Sequence, residues 1–466
     1  MFISINPKNF IIPVQTPSCS KNKEEKNTIA APYNNFSNYP AFNYIPISFK
    51  GVTEIQKVNN NSHHKLENYT GCITGGAIGD ALGAPVEFLN LDSIKKLYGK
   101  NGIENLILGE SGLAEISDDT QMTIFTADGL IKSIGLKFKS NELPEMSIIY
   151  DSYMDWLQTQ QNEYGKIKSK KGWISGISSL YIPRNPGDTC LKALSSGKMG
   201  TISNPINDSK GNGGVMRTAP AGLLYYNNPK TAFEAGARCA AITHGHPSGY
   251  LSAGVLSSVI AYIIKGEKIE NAVDKSIKLL EKYKNHEEVK EALLKAKELA
   301  KSDISPEEAI RQIGGGWVGE EAIAIAVYCA LKSPDNFEQA VKMAVNHDGD
   351  SDSTGAITGN IMGVYLGLNA IPEKWRNKIE LSKELKILSS DLYYAPLKIQ
   401  NVRHRYPYNM GRIPNWYEQP KQITAASRLR HVKFSPKDEA RMKSMDPQDL
   451  IEYKKYLIRN KLYKIE

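Results

Sequence analysis

The chain is poor in the features that mark a redox, secreted or membrane protein. Its five cysteines, Cys19, Cys72, Cys190, Cys239 and Cys329, are scattered without a C-x-x-C pair. That spacing argues against a zinc site or a disulfide framework and fits a reducing compartment. The longest apolar run, Leu251–Ile264, ends at Lys265-Gly266, short of the ~20 residues a spanning helix needs. The opening M-F-I-S-I-N-P-K-N-F-I-I-P-V has no sustained apolar segment and no clean cleavage signature. No secretory leader and no membrane partner are therefore expected, and the protein is expected to be cytoplasmic. No alternating strand pattern of any length and no fixed-period repeat is present, which leaves an all-α fold.

Net charge is also missing from most of the chain. Residues 401–466 hold 15 Lys+Arg and 7 Asp+Glu, the whole of the formal +8, so residues 1–400 balance at 43 of each sign. An electrostatic case for a nucleic-acid partner exists only for the 401–466 tail. Residues 1–66 are rich in Asn, Ser, Pro and Tyr without helical periodicity, and are expected to be a disordered extension that docks, if at all, through Tyr44–Phe49. Residues 67–396 are expected to form one large multi-helix catalytic domain, and the chain to be a monomer. Residues 397–466 form a basic, partly helical extension whose amphipathic end, Asp446–Lys464, is expected to be a helix.

Glycine is abundant where helices are expected. Gly71, Gly75, Gly79 and Gly83 recur every fourth residue, as do Gly355, Gly359, Gly363 and Gly367. Each glycine inside a helix costs roughly 1 kcal/mol against alanine. Two helices that accept the cost four times each point to a close backbone crossing, with each other as the natural partners. Just before the second stripe stands N-H-D-G-D-S-D-S-T-G, with Asp348, Asp350 and Asp352 two residues apart. Carboxylates this close repel unless a hard cation sits among them. An EF-hand register fails: counted from Asp348, the sixth position is Ser353 rather than Gly, and the twelfth is Gly359 rather than Glu.

A second acidic turn, Ser117-Asp118-Asp119-Thr120, precedes a segment that reads as a capped amphipathic helix. Alone it is a capping arrangement; paired with Asp350–Ser353 it is half of what a two-cation site requires. Between the turns lies Ser209-Lys210-Gly211-Asn212-Gly213-Gly214, a glycine-rich loop able to offer N–H groups to a phosphate, with Arg217 as an added charge. His244 and His246 stand as H-x-H, suited either to a metal or to capping and packing. Gly314–Gly316 followed by Trp317 suits a flexible loop over a flat ligand, or a helix linker.

Together G-D-A-L-G-A-P-V-E-F, S-D-D-T-Q-M, G-N-G-G-V-M-R-T-A-P, I-T-H-G-H-P and D-G-D-S-D-S-T-G-A-I-T-G resemble the ADP-ribosylglycohydrolase family, in order, from Tyr69 to Leu368. The resemblance implies an all-α domain that removes ADP-ribose from an ADP-ribosylated protein or small molecule, with two Mg²⁺ (sometimes Mn²⁺) between the acidic turns. It implies Ser117, Asp118, Asp119, Asp350, Asp352 and Ser353 as metal ligands, the two serines standing where many members carry Thr. Glu87 matches the family's glutamate near the reactive carbon. Ser209, Lys210, Gly211, Asn212, Gly213 and Gly214 match the loop that holds the ADP-ribose phosphates and distal ribose, and His244 matches a substrate-side histidine. Asp348 matches no family role and is expected to stand behind the ligands. Because the family also contains crystallin-like members, a non-catalytic ADP-ribose-binding or structural protein is the alternative.

Overall fold

The computed structural model describes residues 63–134, 141–162, 164, 172–396, 405 and 406, and the backbone of 432–434 and 463–465. Among these residues are sixteen α-helices, five of which frame the site. They are α1 (Leu66–Gly83), α2 (Asp118–Ile134), α3 (Pro247–Ile264), α4 (Gly319–Lys332) and α5 (Ser351–Leu366).

The two glycine stripes meet each other, antiparallel. A methyl group on Gly71 would lie 2.3 Å from the Gly363 carbonyl, one on Gly75 2.4 Å from Gly359, and one on Gly79 2.0 Å from Gly355. Gly83 closes the series against the Ser351 carbonyl at 2.2 Å. The bare stripes thus let backbone touch backbone along the length of both helices. Side-chain amides tie the pair: Asn68 Nδ2 donates to the Val364 carbonyl at 2.9 Å, and Asn360 Nδ2 to the Cys72 carbonyl at 2.8 Å. Gly367, expected as the fourth member of its stripe, instead ends α5 with φ +80°, a left-handed conformation that glycine adopts without strain.

Packing around this pair departs from the sequence reading at α2. Helix α2 is not amphipathic: all of its residues, Asp118 to Ile134, are buried. Lys132 survives there because its ammonium pairs with Asp128 at 2.5 Å, and Asp128 also accepts from Ser152 Oγ at 2.6 Å. Helix α3 begins at Pro247 with His246 as its cap, and by length and composition alone could cross a membrane; 89% of it is buried inside the fold. Ile269–Leu280 and Glu287–Lys301 are amphipathic surface helices, cross-linked by Lys301–Glu270 at 2.8 Å.

Beyond the helices, Arg405 Nε and the Tyr406 hydroxyl both donate to buried Asp391 at 2.9 Å, holding the chain against the helix Ser382–Tyr394. Two short strands, β1 (Val432–Phe434) and β2 (Tyr463–Ile465), pair antiparallel with Lys433 opposite Lys464. The helix expected over Asp446–Lys464 lies outside the described residues except at its end, and there the chain is extended. V-K-F and Y-K-I each alternate apolar and charged residues, a period of two that favours a strand. Tyr44–Phe49 also lies outside the described residues.

Candidate active site

The site grows from a buried acid in α1. Asp80 has no solvent exposure and follows Gly79 in the glycine stripe. It faces the turn that starts α2. The Ser117 N–H reaches both Asp80 oxygens at 3.0 Å, and the Thr120 N–H donates at 3.2 Å, with the Thr120 hydroxyl donating as well. Ser117 Oγ accepts from the Asp119 N–H at 3.2 Å and lies 3.3 Å from Asp119 Oδ2. Asp118 accepts from the Gly187 N–H at 3.2 Å.

The second turn starts α5. Asp350 caps the helix, accepting from the Ser353 N–H at 3.3 Å, while Asp352 Oδ1 accepts from the same N–H at 2.9 Å. Glu87, Asp350 and Asp352 bring carboxylate oxygens within 4.8 Å of one another. The α1–α5 crossing explains why: the Gly83–Ser351 contact brings the end of one helix, just before Glu87, to the start of the other. Asp348 is elsewhere. It is exposed and accepts from the Leu91 N–H at 2.5 Å, fastening the loop before α5 to the helix Leu91–Tyr98. It does not back the ligands.

Five buried carboxyls, Asp80, Asp118, Asp119, Asp350 and Asp352, are all pushed up by burial, and Asp118, Asp119 and Asp352 further by their neighbours' charges. Asp118 is raised to about 8. Asp119 Oδ1 is buried and has no hydrogen-bond partner among the described residues. A buried acceptor left open among repelling acids fits a hard cation, whose charge would offset both costs. The pH dependence of the cation-free protein follows. A carboxyl that titrates near 8 folded, against an ordinary 3.8, holds more protons folded than unfolded between those values. Stability therefore falls as pH rises through that window. We expect the melting temperature of chelator-treated protein to drop between about pH 5 and about pH 8, and added Mg²⁺ to recover most of the loss. A melting curve that rises over that range would contradict this.

The glycine-rich loop is tied to the second turn. Asn212 Nδ2 donates to Asp350 Oδ2 at 2.8 Å and to the Gly316 carbonyl at 2.7 Å. The Asp350 N–H in turn donates to the Gly315 carbonyl at 2.8 Å. Ser209 Oγ lies 3.2 Å from Thr189 Oγ1 and accepts from the Gly211 N–H at 3.3 Å. Lys210 turns to Glu320 at 2.6 Å and Glu288 at 3.2 Å. His244 is buried beneath the loop: a methyl group on Gly213 would meet its ring at 3.1 Å, and burial lowers the ring to about 3, so it stands neutral. His246 caps α3, accepting from the Ser248 N–H at 3.1 Å. Arg217 is not available to a phosphate. It is fully buried, 4.3 Å over the Tyr153 ring, and donates to the Cys239 carbonyl at 3.0 Å and Thr243 Oγ1 at 2.7 Å.

The Gly314–Gly316 segment is tied down rather than free. Glu321 accepts from the Gly315 and Gly316 N–H groups at 3.1 Å each, and the Gly319 N–H donates to the Lys210 carbonyl at 2.8 Å. Trp317 remains 44% exposed, stacked on Phe88 with ring centroids 5.6 Å apart, beside Glu87. The residue to which sequence reasoning gives no place in the site is Asp80. Its signal was an acid set inside a stripe that had to be buried.

Residues 61–400 match the family model described as ADP-ribosylglycohydrolase. The chain is similar to an uncharacterized protein of Archaeoglobus fulgidus, at 27% identity over 72% of this chain and 98% of that one. It is similar to the ADP-ribosyl-[dinitrogen reductase] glycohydrolase of Rhodospirillum rubrum, at 23% identity over 68% and 92%. It is also similar to the ADP-ribosylarginine hydrolase Tri1 of Serratia proteamaculans, at 26% identity over 71% and 80%.

Proposed function

Because the chain belongs to the ADP-ribosylglycohydrolase family of hydrolases, we propose that it removes ADP-ribose from ADP-ribosylated protein side chains by hydrolysis at the anomeric carbon of the distal ribose. The observation that carries this reading is the meeting of two acidic turns, far apart in sequence, with Glu87 at their edge. Ser117, Asp118 and Asp119 on one side and Asp350, Asp352 and Ser353 on the other would hold two Mg²⁺ or Mn²⁺. When bound, these ions supply Lewis acidity toward the ribose hydroxyls and lower the pKa of a coordinated water.

The chain's own residues do the rest. Asp80 and Asn212 orient the two turns from behind. The N–H groups of Gly211 and Asn212 are given to Ser209 Oγ and the Trp317 carbonyl, so Gly213 and Gly214 would offer the loop's contacts to the phosphates, and His244, neutral beneath them, holds the loop's shape. Glu87 moves a proton at the anomeric centre as the glycosidic bond breaks. Placing it with Asp350 and Asp352 rather than opposite a second lone carboxylate sets this apart from ordinary two-carboxylate glycosidases.

Glu87→Gln separates proton transfer from cation binding. We expect turnover to fall by about 10²–10⁴ while calorimetric affinity for ADP-ribose in Mg²⁺ stays within a few-fold. Equal loss of turnover and ADP-ribose affinity would make Glu87 a binding residue instead. The linkage is tested by a panel of arginine-linked and serine-linked ADP-ribosyl peptides. ADP-ribose release from none of them, with ADP-ribose still bound, would make the chain a binding protein.

A further inference from the structure

Asp80 is a carboxylate with no exposure and, among the described residues, no Lys, Arg or His within ion-pair distance. A buried charge of this kind is costly unless other groups satisfy it. Here every hydrogen bond it accepts comes from one turn, from the Ser117 N–H, the Thr120 N–H and the Thr120 hydroxyl. Those two residues bracket Asp118 and Asp119. A neutral Asn would not hold this turn as well, because both carboxylate oxygens accept and an amide would set its NH2 against the Ser117 or Thr120 N–H. The same carboxylate sets a negative charge directly behind Asp118 and Asp119.

A second observation points the same way. Asp119 Oδ1, buried in the turn that Asp80 grips, has no hydrogen-bond partner among the described residues. Asp80 also sits one residue from Gly79, whose contact with the Gly355 carbonyl locks α1 to the helix bearing the other turn. The grip is therefore referenced to both halves of the site.

We infer that Asp80 is a positioning residue that sets the site's cation affinity, by clamping the Ser117–Thr120 turn with Asp118 and Asp119 aimed inward and by adding an uncoordinated negative charge behind them. This rests on the cation site proposed above.

The test is Mn²⁺ titration of the full chain by electron paramagnetic resonance, beside hydrolysis measured across Mn²⁺ concentration. Asp80→Asn should weaken Mn²⁺ binding about 10–100-fold, and its hydrolysis should recover towards the wild-type rate as Mn²⁺ is raised. Thr120→Val keeps the charge and removes one bond, and should weaken binding about fivefold. It decides the matter if Asp80→Asn does not fold. Wild-type Mn²⁺ affinity in either folded variant, or lost hydrolysis that saturating Mn²⁺ does not restore, would overturn the inference. A wild-type chain that binds no Mn²⁺ would instead overturn the cation site itself, and this inference with it.

Discussion

Asp350→Asn is expected to reduce ADP-ribose release by about a thousandfold or more while the protein stays folded. Metal-assisted charge stabilisation is worth several kcal/mol, and each ~1.4 kcal/mol is a factor of ten in rate. Asp350 is the carboxylate with the most demands on it: it caps α5, accepts from Asn212, and shares the 4.8 Å cluster with Glu87 and Asp352. Asn keeps the cap, which uses Oδ1, but places an NH2 where Oδ2 accepts from Asn212, at the cost of one hydrogen bond. What it also loses is charge. In cation-free protein that loss removes repulsion among buried acids, so the apo melting temperature should hold or rise. Circular dichroism melts beside a release assay read both outcomes. A fall in apo stability matching the fall in activity would mean that Asp350 matters for the fold, not for the site.

Gly79→Ala is expected to destabilise strongly, against the usual sign. In an exposed helix this change gains about 1 kcal/mol from helix propensity. Here the new methyl would sit 2.0 Å from the Gly355 carbonyl oxygen and 2.4 Å from its carbon, both backbone atoms that no side-chain rotation can move aside. Overpacking of this kind costs roughly 1–3 kcal/mol or more. The helices must separate, and with them the Ser117–Thr120 and Asp350–Ser353 turns, so Mg²⁺-dependent activity should fall further than stability alone explains. Gly176→Ala is the control, since nothing lies within 4 Å of its added methyl. Thermal melts in which Gly79→Ala is as stable as that control would refute the close crossing.

Much of this was legible because it is local chemistry repeated. A four-residue glycine period says that backbone meets backbone, and two acid–hydroxyl turns ahead of helices say that oxygen ligands converge. What was not legible depended on direction. Asp348 and Asp350 look alike in sequence, yet their carboxylates leave the loop oppositely, one to the Leu91 N–H and the other to Asn212. Arg217 after a glycine-rich loop reads as a phosphate ligand, but packing turns it inward onto Tyr153. Asp80 was visible only as an intruder in a bare stripe, because its partners lie 37 and 40 residues away. The strand at Tyr463–Ile465 was missed because three residues of alternation were absorbed into a longer helical pattern.

The central claim is that the two acidic turns form one cation site that drives ADP-ribose release. The most direct measurement is release from an ADP-ribosylated peptide by purified full-length protein before chelation, after EDTA, and after Mg²⁺ is returned. The account predicts release that stops with EDTA and resumes with Mg²⁺ in the wild type, and that resumes in neither Asp350→Asn nor Asp119→Asn. Release that continues undiminished in EDTA would contradict it.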